Sequence, residues 1–347
     1  IAVLMLLLSS CGSDMVKSAE KTDPVLVEYP VVFIERASDL STDENTVLPP
    51  SFSARNPARF NPGAQLMMKK NAFADSPSTN LTAELFPYNQ NDTETDAASL
   101  ENAVDIRDLA VSNDGQQLLV SIRAPAIETA DENDQPTWNI WRYQIATKQL
   151  QRIIINDNTA EQGDDLMASF LPDGRIIFAS TRQRISRAIL LDEGKPQYTA
   201  LNERGNNAAL NLHVMNADGT NIKQLSFNMS HDFYPLVLQD GRILYSRWDT
   251  MGGNDKINLY VMNPDGTENH LVYGWHSHQL MVDETQQNID FIKPQQLPNG
   301  DIVILLASND GQVYQKQPIT INIDEFIDNQ QPVHYGSVQG EAQVDVF

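Results

Sequence analysis

One short pattern recurs four times and constrains the chain more than anything else in it: a strand, a turn holding Asp-Gly or Asn-Gly, and a second strand. The copies are LAVSNDGQQLLVSIR (109–123), MASFLPDGRIIFASTR (167–182), YPLVLQDGRILYSRWD (234–249) and KPQQLPNGDIVILLAS (293–308). Asp-Gly or Asn-Gly between apolar runs is a strong local signal for a β-hairpin, because the glycine accepts the positive φ that closes the turn. The runs IIF, ILY and IVI after the turn suit strands buried on both faces. Between these hairpins lie second ones, LHVMNADGTNIKQLS (212–226) and LYVMNPDGTENHLVY (259–273), and a variant with Thr-Lys in the turn, NIWRYQIATKQLQRII (139–154). Each unit is therefore four antiparallel strands, A to D.

Four-stranded units repeated along a chain are the blades of a β-propeller. The turn glycines at 115, 174, 241 and 300 are 59, 67 and 59 residues apart, which leaves room for insertions. A β-sandwich is the alternative, but sandwiches do not repeat so literally. The fold class is thus all-β, a propeller with about four blades visible. Residues 104–347 carry them, and residues 29–103, rich in Asn, Pro, Ser, Thr and Asp, form a lead-in with room for a divergent first blade. Because a ring must close its edge strands, either residues 29–100 and 313–347 supply divergent blades or the protein continues beyond Phe347, and the second is the expectation here.

The first residues read differently. IAVLMLLL is too short to span a bilayer but suits the apolar region of a signal peptide, and Ser9-Ser10-Cys11-Gly12 resembles a bacterial lipobox. Residues 1–10 are read as the end of that peptide, Cys11 as the lipidated residue, and 11–28 as a tether. The alternative is the frayed start of a core helix. Cys11 is the only cysteine, so an internal disulfide, a CxxCH haem attachment and a CxxC zinc site are all excluded from this span. The expected location is the periplasm, with Gly12 after the Cys favouring the outer membrane. A formal charge of -22, with 24 Lys and Arg, argues against nucleic acid as a partner.

FLPDGRIIFASTR, LHVMNADGTNIKQLS and LYVMNPDGT resemble the TolB-type propeller repeat. WNIWRYQI, SFNMSHDFYP, LYSRWD and YGWHSH are similar to the propeller middle domain of the lipoprotein and cytochrome relatives of the hydrazine synthase alpha subunit. That resemblance implies an exported propeller of six or seven blades, combined in some relatives with covalent haem. The missing CxxCH puts the haem in doubt for this chain.

Propeller geometry turns the repeat into a map. A–B and C–D turns lie on one face, and B–C loops and blade connections on the other. The long insertions at 124–137, 183–209 and 250–257 fall in B–C loops, and 279–289 in a blade connection, so the elaboration is one-sided and marks a binding face. Ten residues before each turn glycine, where strand A begins, stand Asp105, Asp164, His231 and Asp290. His231 and His278 each lie twelve residues after the glycine of Asp-Gly-Thr. Arg123, Arg182 and Arg247 end or follow strand B. Together these residues can line a site for a cation or an anionic ligand. Equally, they can tie blade to blade, with the arginines paired to carboxylates; Asp165 and Asp232, one place along, read as structural. His276 and His278 share one side of an extended strand and, with His231, form a candidate metal set at the mouth, so the cofactor is left open. Trp138, Trp141, Trp248 and Trp275 sit at strand ends, Trp248 and Trp275 as candidate exposed platforms.

No GxSxG, P-loop, HExxH or GxGxxG is present. Ser230-His231-Asp232 is not a triad, because neighbours on an extended strand point to opposite sides. Two functions lead, ahead of a propeller hydrolase that would need a metal ring at the mouth. One is a membrane-anchored scaffold that binds a protein, glycan or small molecule on its insertion-bearing face. The other is a hydrazine-synthase-like redox subunit whose haem or metal chemistry needs segments outside this span.

Overall fold

A computed structural model describes residues 29–36, 57–83, 103–131, 134–182, 192–194, 201–205, 207–250, 255–275, 277–282, 285–308, 318–321, 323, 333–334 and 343–345. Cys11, the signal and tether segments, His276 and most of the 183–209 insertion lie outside the described residues. The described chain is an all-β propeller of five sheets. Sheet I is β1 (Val31–Glu35), β2 (Gln65–Lys69) and β3 (Ser78–Asn80). Sheet II is β4 (Asp105–Val111), β5 (Gln117–Arg123), β6 (Trp138–Gln144) and β7 (Gln149–Arg152). A helical turn, α1 (Asp157–Ala160), leads to sheet III: β8 (Asp165–Phe170), β9 (Ile176–Ser180), β10 (Asn211–Met215) and β11 (Lys223–Gln224). Sheet IV is β12 (Asp232–Val237), β13 (Ile243–Asp249), β14 (Lys256–Met262) and β15 (His270–Tyr273). Sheet V contains β16 (Gln279–Val282), β17 (Thr285–Gln296), β18 (Ile302–Ser308), β19 (Ile319–Ile321), β20 (Val333–His334) and β21 (Gln343–Asp345). Sheets II, III and IV are simple four-stranded meanders, as the repeat requires.

The turns show why the repeat folds this way. Gly115, Gly174, Gly241 and Gly300 all have positive φ, and each donates its N–H to the residue three before it, at 2.8–3.0 Å. The aspartate before the glycine accepts from the residue after it, as when Arg175 N donates to Asp173 Oδ1 at 3.0 Å. In the outer turns the glycine has a second task. A Cβ on Gly219 would lie 2.6 Å from Ile153 O, and one on Gly266 would lie 2.8 Å from Leu225 O, so each Asp-Gly-Thr turn rests on the backbone of the preceding sheet.

The core lies between neighbouring sheets. Leu119 and Ile140 of sheet II pack on Ile176, Phe178 and Met215 of sheet III. Leu212 and Val214 then meet Phe233 and Tyr245 of sheet IV, while Leu259 and Val261 meet Phe291 and Ile304 of sheet V. All five residues of β9 are buried, which is why it reads as a continuous apolar run.

Two features depart from expectation. The 279–289 insertion is not a loop: β16 pairs with β17 from Gln279↔Asn288 to Val282↔Thr285, making the innermost strand of sheet V twelve residues long. An insertion packed at a sheet must find partners for its backbone groups, and a hairpin supplies them. The second feature is a bulge in the first long strand (strand A) of each of sheets II to V. Register shifts fall at Arg107/Ala110, Leu166/Ser169, Phe233/Leu236 and Ile292/Gln295. Asp108, Met167, Tyr234 and Lys293 sit there with φ between 52° and 58°, each seven residues before its turn glycine. No helix among the described residues is long and apolar enough to cross a membrane.

Candidate functional site

The residues ten before each turn glycine share one arrangement. Trp138 N donates to Asp164 Oδ1 at 3.0 Å, Leu210 N to His231 Nδ1 at 3.1 Å and Ile257 N to Asp290 Oδ1 at 2.8 Å. In each case the amide lies within one residue of the start of strand C of the preceding sheet. Asp105 has no sheet of this pattern before it and accepts instead from Asn61 N of the lead-in, at 2.7 Å. The set is a blade-to-blade clasp: an acceptor on one sheet takes a buried donor of its neighbour.

Two of the arginines pair with the aspartates one place along, each within its own sheet. Arg182 Nε donates to Asp165 Oδ1 at 3.0 Å and its Nη2 to Oδ2. Arg247 holds Asp232 through Nε at 2.7 Å and Nη2 at 2.9 Å, its guanidinium 4.6 Å over the Tyr260 ring. Asp105 is held by Arg36, whose Nη2 donates to both carboxylate oxygens, at 2.8 and 2.9 Å. Burial pushes the Asp105 carboxyl up to about 6 even against Arg36. Arg123 makes no such ion pair among the described residues; it donates to Pro136 O at 2.7 Å, lies 4.4 Å over Phe60 and feels the charges of Asp164 and Asp105.

The two histidines are not equivalent. His231 belongs to the clasp, with its ring 5.2 Å from Trp248. In sheet V that place is filled by Asp290, and the β16–β17 hairpin sets His278 apart from it in sequence. His278 Nε2 contacts Asn258 Oδ1 at 2.7 Å and its Nδ1 lies 3.9 Å from Asp290. Among the described residues no three His, Cys, Asp or Glu side chains gather as a metal-holding group, and His276 falls outside them. Ser230, His231 and Asp232 do turn to different partners: Thr250 Oγ1, Leu210 N and Arg247.

Trp248 is no exposed platform. It is 1% exposed, packed in the core between sheets III and IV against His231, with Arg204 5.2 Å over its ring and its Nε1 donating to Asp255 Oδ1 at 2.8 Å. Trp275 is 40% exposed. Trp138 is buried, with Nε1 donating to Ala58 O at 2.7 Å, and Trp141 is half-buried.

Two groups escape a reading by motif. The first is Arg107, Asp108, Tyr234 and Lys293, which the strand bulges bring together. A fixed offset of seven from each turn glycine was available as a signal, but the residue types there share no chemistry. The second group is apolar. Nine large hydrophobic residues are exposed among the described ones, and six of these occupy B–C loops or blade connections: Ile127, Ile155, Leu201, Phe227, Met229 and Trp275. Phe227 and Met229, at 60% and 63%, lie two residues apart in the connection from sheet III to sheet IV.

No protein-family model matches the chain, and no curated protein matches it. Solved structures resemble it. Hydrazine synthase from Kuenenia stuttgartiensis has a TM-score of 0.54 at 14% identity, covering 85% of this chain and 37% of that one. TolB from Acinetobacter baumannii has a TM-score of 0.37 at 12% identity, covering 72% and 47%. An oligogalacturonate lyase in complex with manganese has a TM-score of 0.41 at 12% identity, covering 76% and 57%. The chain therefore spans between about a third and three fifths of the length of each. What it shares with hydrazine synthase is the fold.

Proposed function

We propose that the chain is an exported, lipid-anchored propeller that works as a binding scaffold, holding a protein, glycan or small-molecule ligand on its insertion-bearing face. The observation that carries this reading is the one-sided exposure of large apolar side chains. A chain with a net charge of -22 has ample means to keep a surface polar, yet six of its nine exposed large hydrophobics lie at the end that also carries the insertions. Exposed apolar side chains concentrated at one end of a soluble body mark interaction surfaces. The clasp residues beneath that face are occupied in joining sheets, which leaves loop residues such as Phe227, Met229 and Trp275 to make the contact. Cys11 supplies the anchor, with the sequence from 11 to 28 as the tether.

The test changes the face without touching the core. Protein carrying Phe227→Asp, Met229→Asp and Trp275→Asp is expected to melt like its parent. It is also expected to lose the complex that the parent forms in detergent-solubilised membranes, read on native gels. Val111→Asp, at the opposite end, is expected to keep that complex. A complex indifferent to the triple change contradicts the reading.

A further inference from the structure

Two exposed aromatic residues lie away from the insertion-bearing end: Tyr29, just before β1, at 59%, and Phe73, between β2 and β3, at 38%. Register places them together. Val31, the first residue of β1, pairs with Lys69, the last of β2, and Lys69 pairs with Ser78, the first of β3. Tyr29 and the 70–77 turn therefore leave sheet I at the same end. The other end of sheet I is fixed by Arg36, which holds Asp105, and by Gly63 N, which donates to Val104 O at 2.9 Å. Asp105 pairs with Arg123, where the 124–137 insertion begins. Tyr29 and Phe73 thus stand at the turn end of the propeller, a strand's length from the insertions.

The turn that carries Phe73 is tied through its backbone. Lys69 Nζ donates to Ala74 O at 3.3 Å, Phe73 N to Asn71 Oδ1 at 3.3 Å and Ser76 N to Phe73 O at 3.1 Å. Lys69 and the exposed Lys70 flank the ring on the N-terminal side and Asp75 follows it, so this corner is net positive in a chain of charge -22. The turns of the other sheets carry Asp114, Asp218 and Asp265, which an anionic surface would repel.

We infer that this corner of sheet I rests on the anionic phospholipid surface of the membrane that holds the anchor, directing the insertion-bearing face away from it. The inference rests on the reading of Cys11 as that anchor. Residues 11–28 enter the propeller at Tyr29, beside Lys69 and Phe73. As a flexible coil they reach about 24 Å. The seven-residue strand β4 is itself about 23 Å long. Bringing the insertions to the bilayer would stretch the tether along a whole blade, whereas the turn end meets the surface with the tether relaxed. Tyrosine seats its ring at headgroup level, and lysines beside it are drawn to anionic lipid.

The test couples the mature chain, from Cys11 onward, through its single thiol to a maleimide lipid. The vesicles hold phosphatidylethanolamine and phosphatidylglycerol. A photo-crosslinking residue stands at 73 or, separately, at 227, and lipid adducts are read by mass. The yield at 73 is expected to exceed that at 227 about fivefold or more, and to fall at least about threefold with Lys69→Glu/Lys70→Glu or in vesicles of phosphatidylcholine alone. Should the double variant melt early, the change of lipid decides. Comparable yields at 73 and 227 overturn the inference, as does a yield at 73 that neither change lowers. Because the coupling is chemical, this result is independent of whether Cys11 carries lipid in cells, which fractionation of a Cys11→Ser strain decides separately.

Discussion

Replacing Arg182 by methionine should destabilise the propeller by about 3–5 kcal/mol, because it leaves a buried carboxylate without its counter-charge. Both side chains of the Arg182–Asp165 pair have zero exposure. The guanidinium also donates to Thr159 O at 3.1 Å, tying α1 to sheet III, and Ser180 Oγ donates to Asp165 Oδ1 at 2.6 Å. Burial already pushes the Asp165 carboxyl up, against the attraction and hydrogen bonds of Arg182. Without Arg182 the carboxyl is better accommodated neutral, so the loss should shrink as pH falls. The double variant Arg182→Met/Asp165→Leu removes both charges and should recover all but about 1–2 kcal/mol, since apolar replacements of buried pairs are often tolerated. Urea unfolding of wild type, both single variants and the double variant gives the coupling directly. An Arg182→Met protein within about 1 kcal/mol of wild type refutes the reasoning, as does a double variant no more stable than the worse single.

Gly219→Ala should cost clearly more than Gly174→Ala. Both glycines have positive φ, a strain of about 1–2 kcal/mol for alanine, but only at Gly219 does the new methyl meet backbone, at 2.6 Å; thermal melts of the two variants compare them. Asp105 predicts a pH dependence. With the folded carboxyl raised to about 6, its contribution is fully present below the unfolded value of 3.8 and is lost as pH rises through 6. Between pH 4 and 7.5 wild type should therefore lose about 2–3 kcal/mol relative to Asp105→Asn, and parallel stability profiles would contradict this. Cys11→Ser should move the protein from the membrane to the soluble fraction, and unchanged membrane retention would remove Cys11 as the anchor.

The parts of the fold legible in the sequence are those written by local chemistry. Asp-Gly at a fixed register demands one turn, and β9, as IIFAS, demands burial on both faces. The inner-strand bulge was illegible because Asp108, Met167, Tyr234 and Lys293, which stand at positive φ there, share no residue type. The fate of 279–289 turned on a long-range choice, the pairing of β16 with β17. At the candidate site, the offset of ten located Asp105, Asp164, His231 and Asp290, while their engagement by the amides of Asn61, Trp138, Leu210 and Ile257 depends on how sheets sit side by side. Trp248 reads like Trp275 in sequence, and only the packing of His231, Arg204 and Asp255 around Trp248 tells the buried one from the partly open one.

A photo-crosslinking residue placed in living cells at 227 and 275, and separately at 111 and 173 on the turn face, tests the binding-face assignment most directly. The account predicts discrete adducts from 227 and 275 and none from 111 or 173. Adducts confined to the turn face, or equal from both ends, would contradict it.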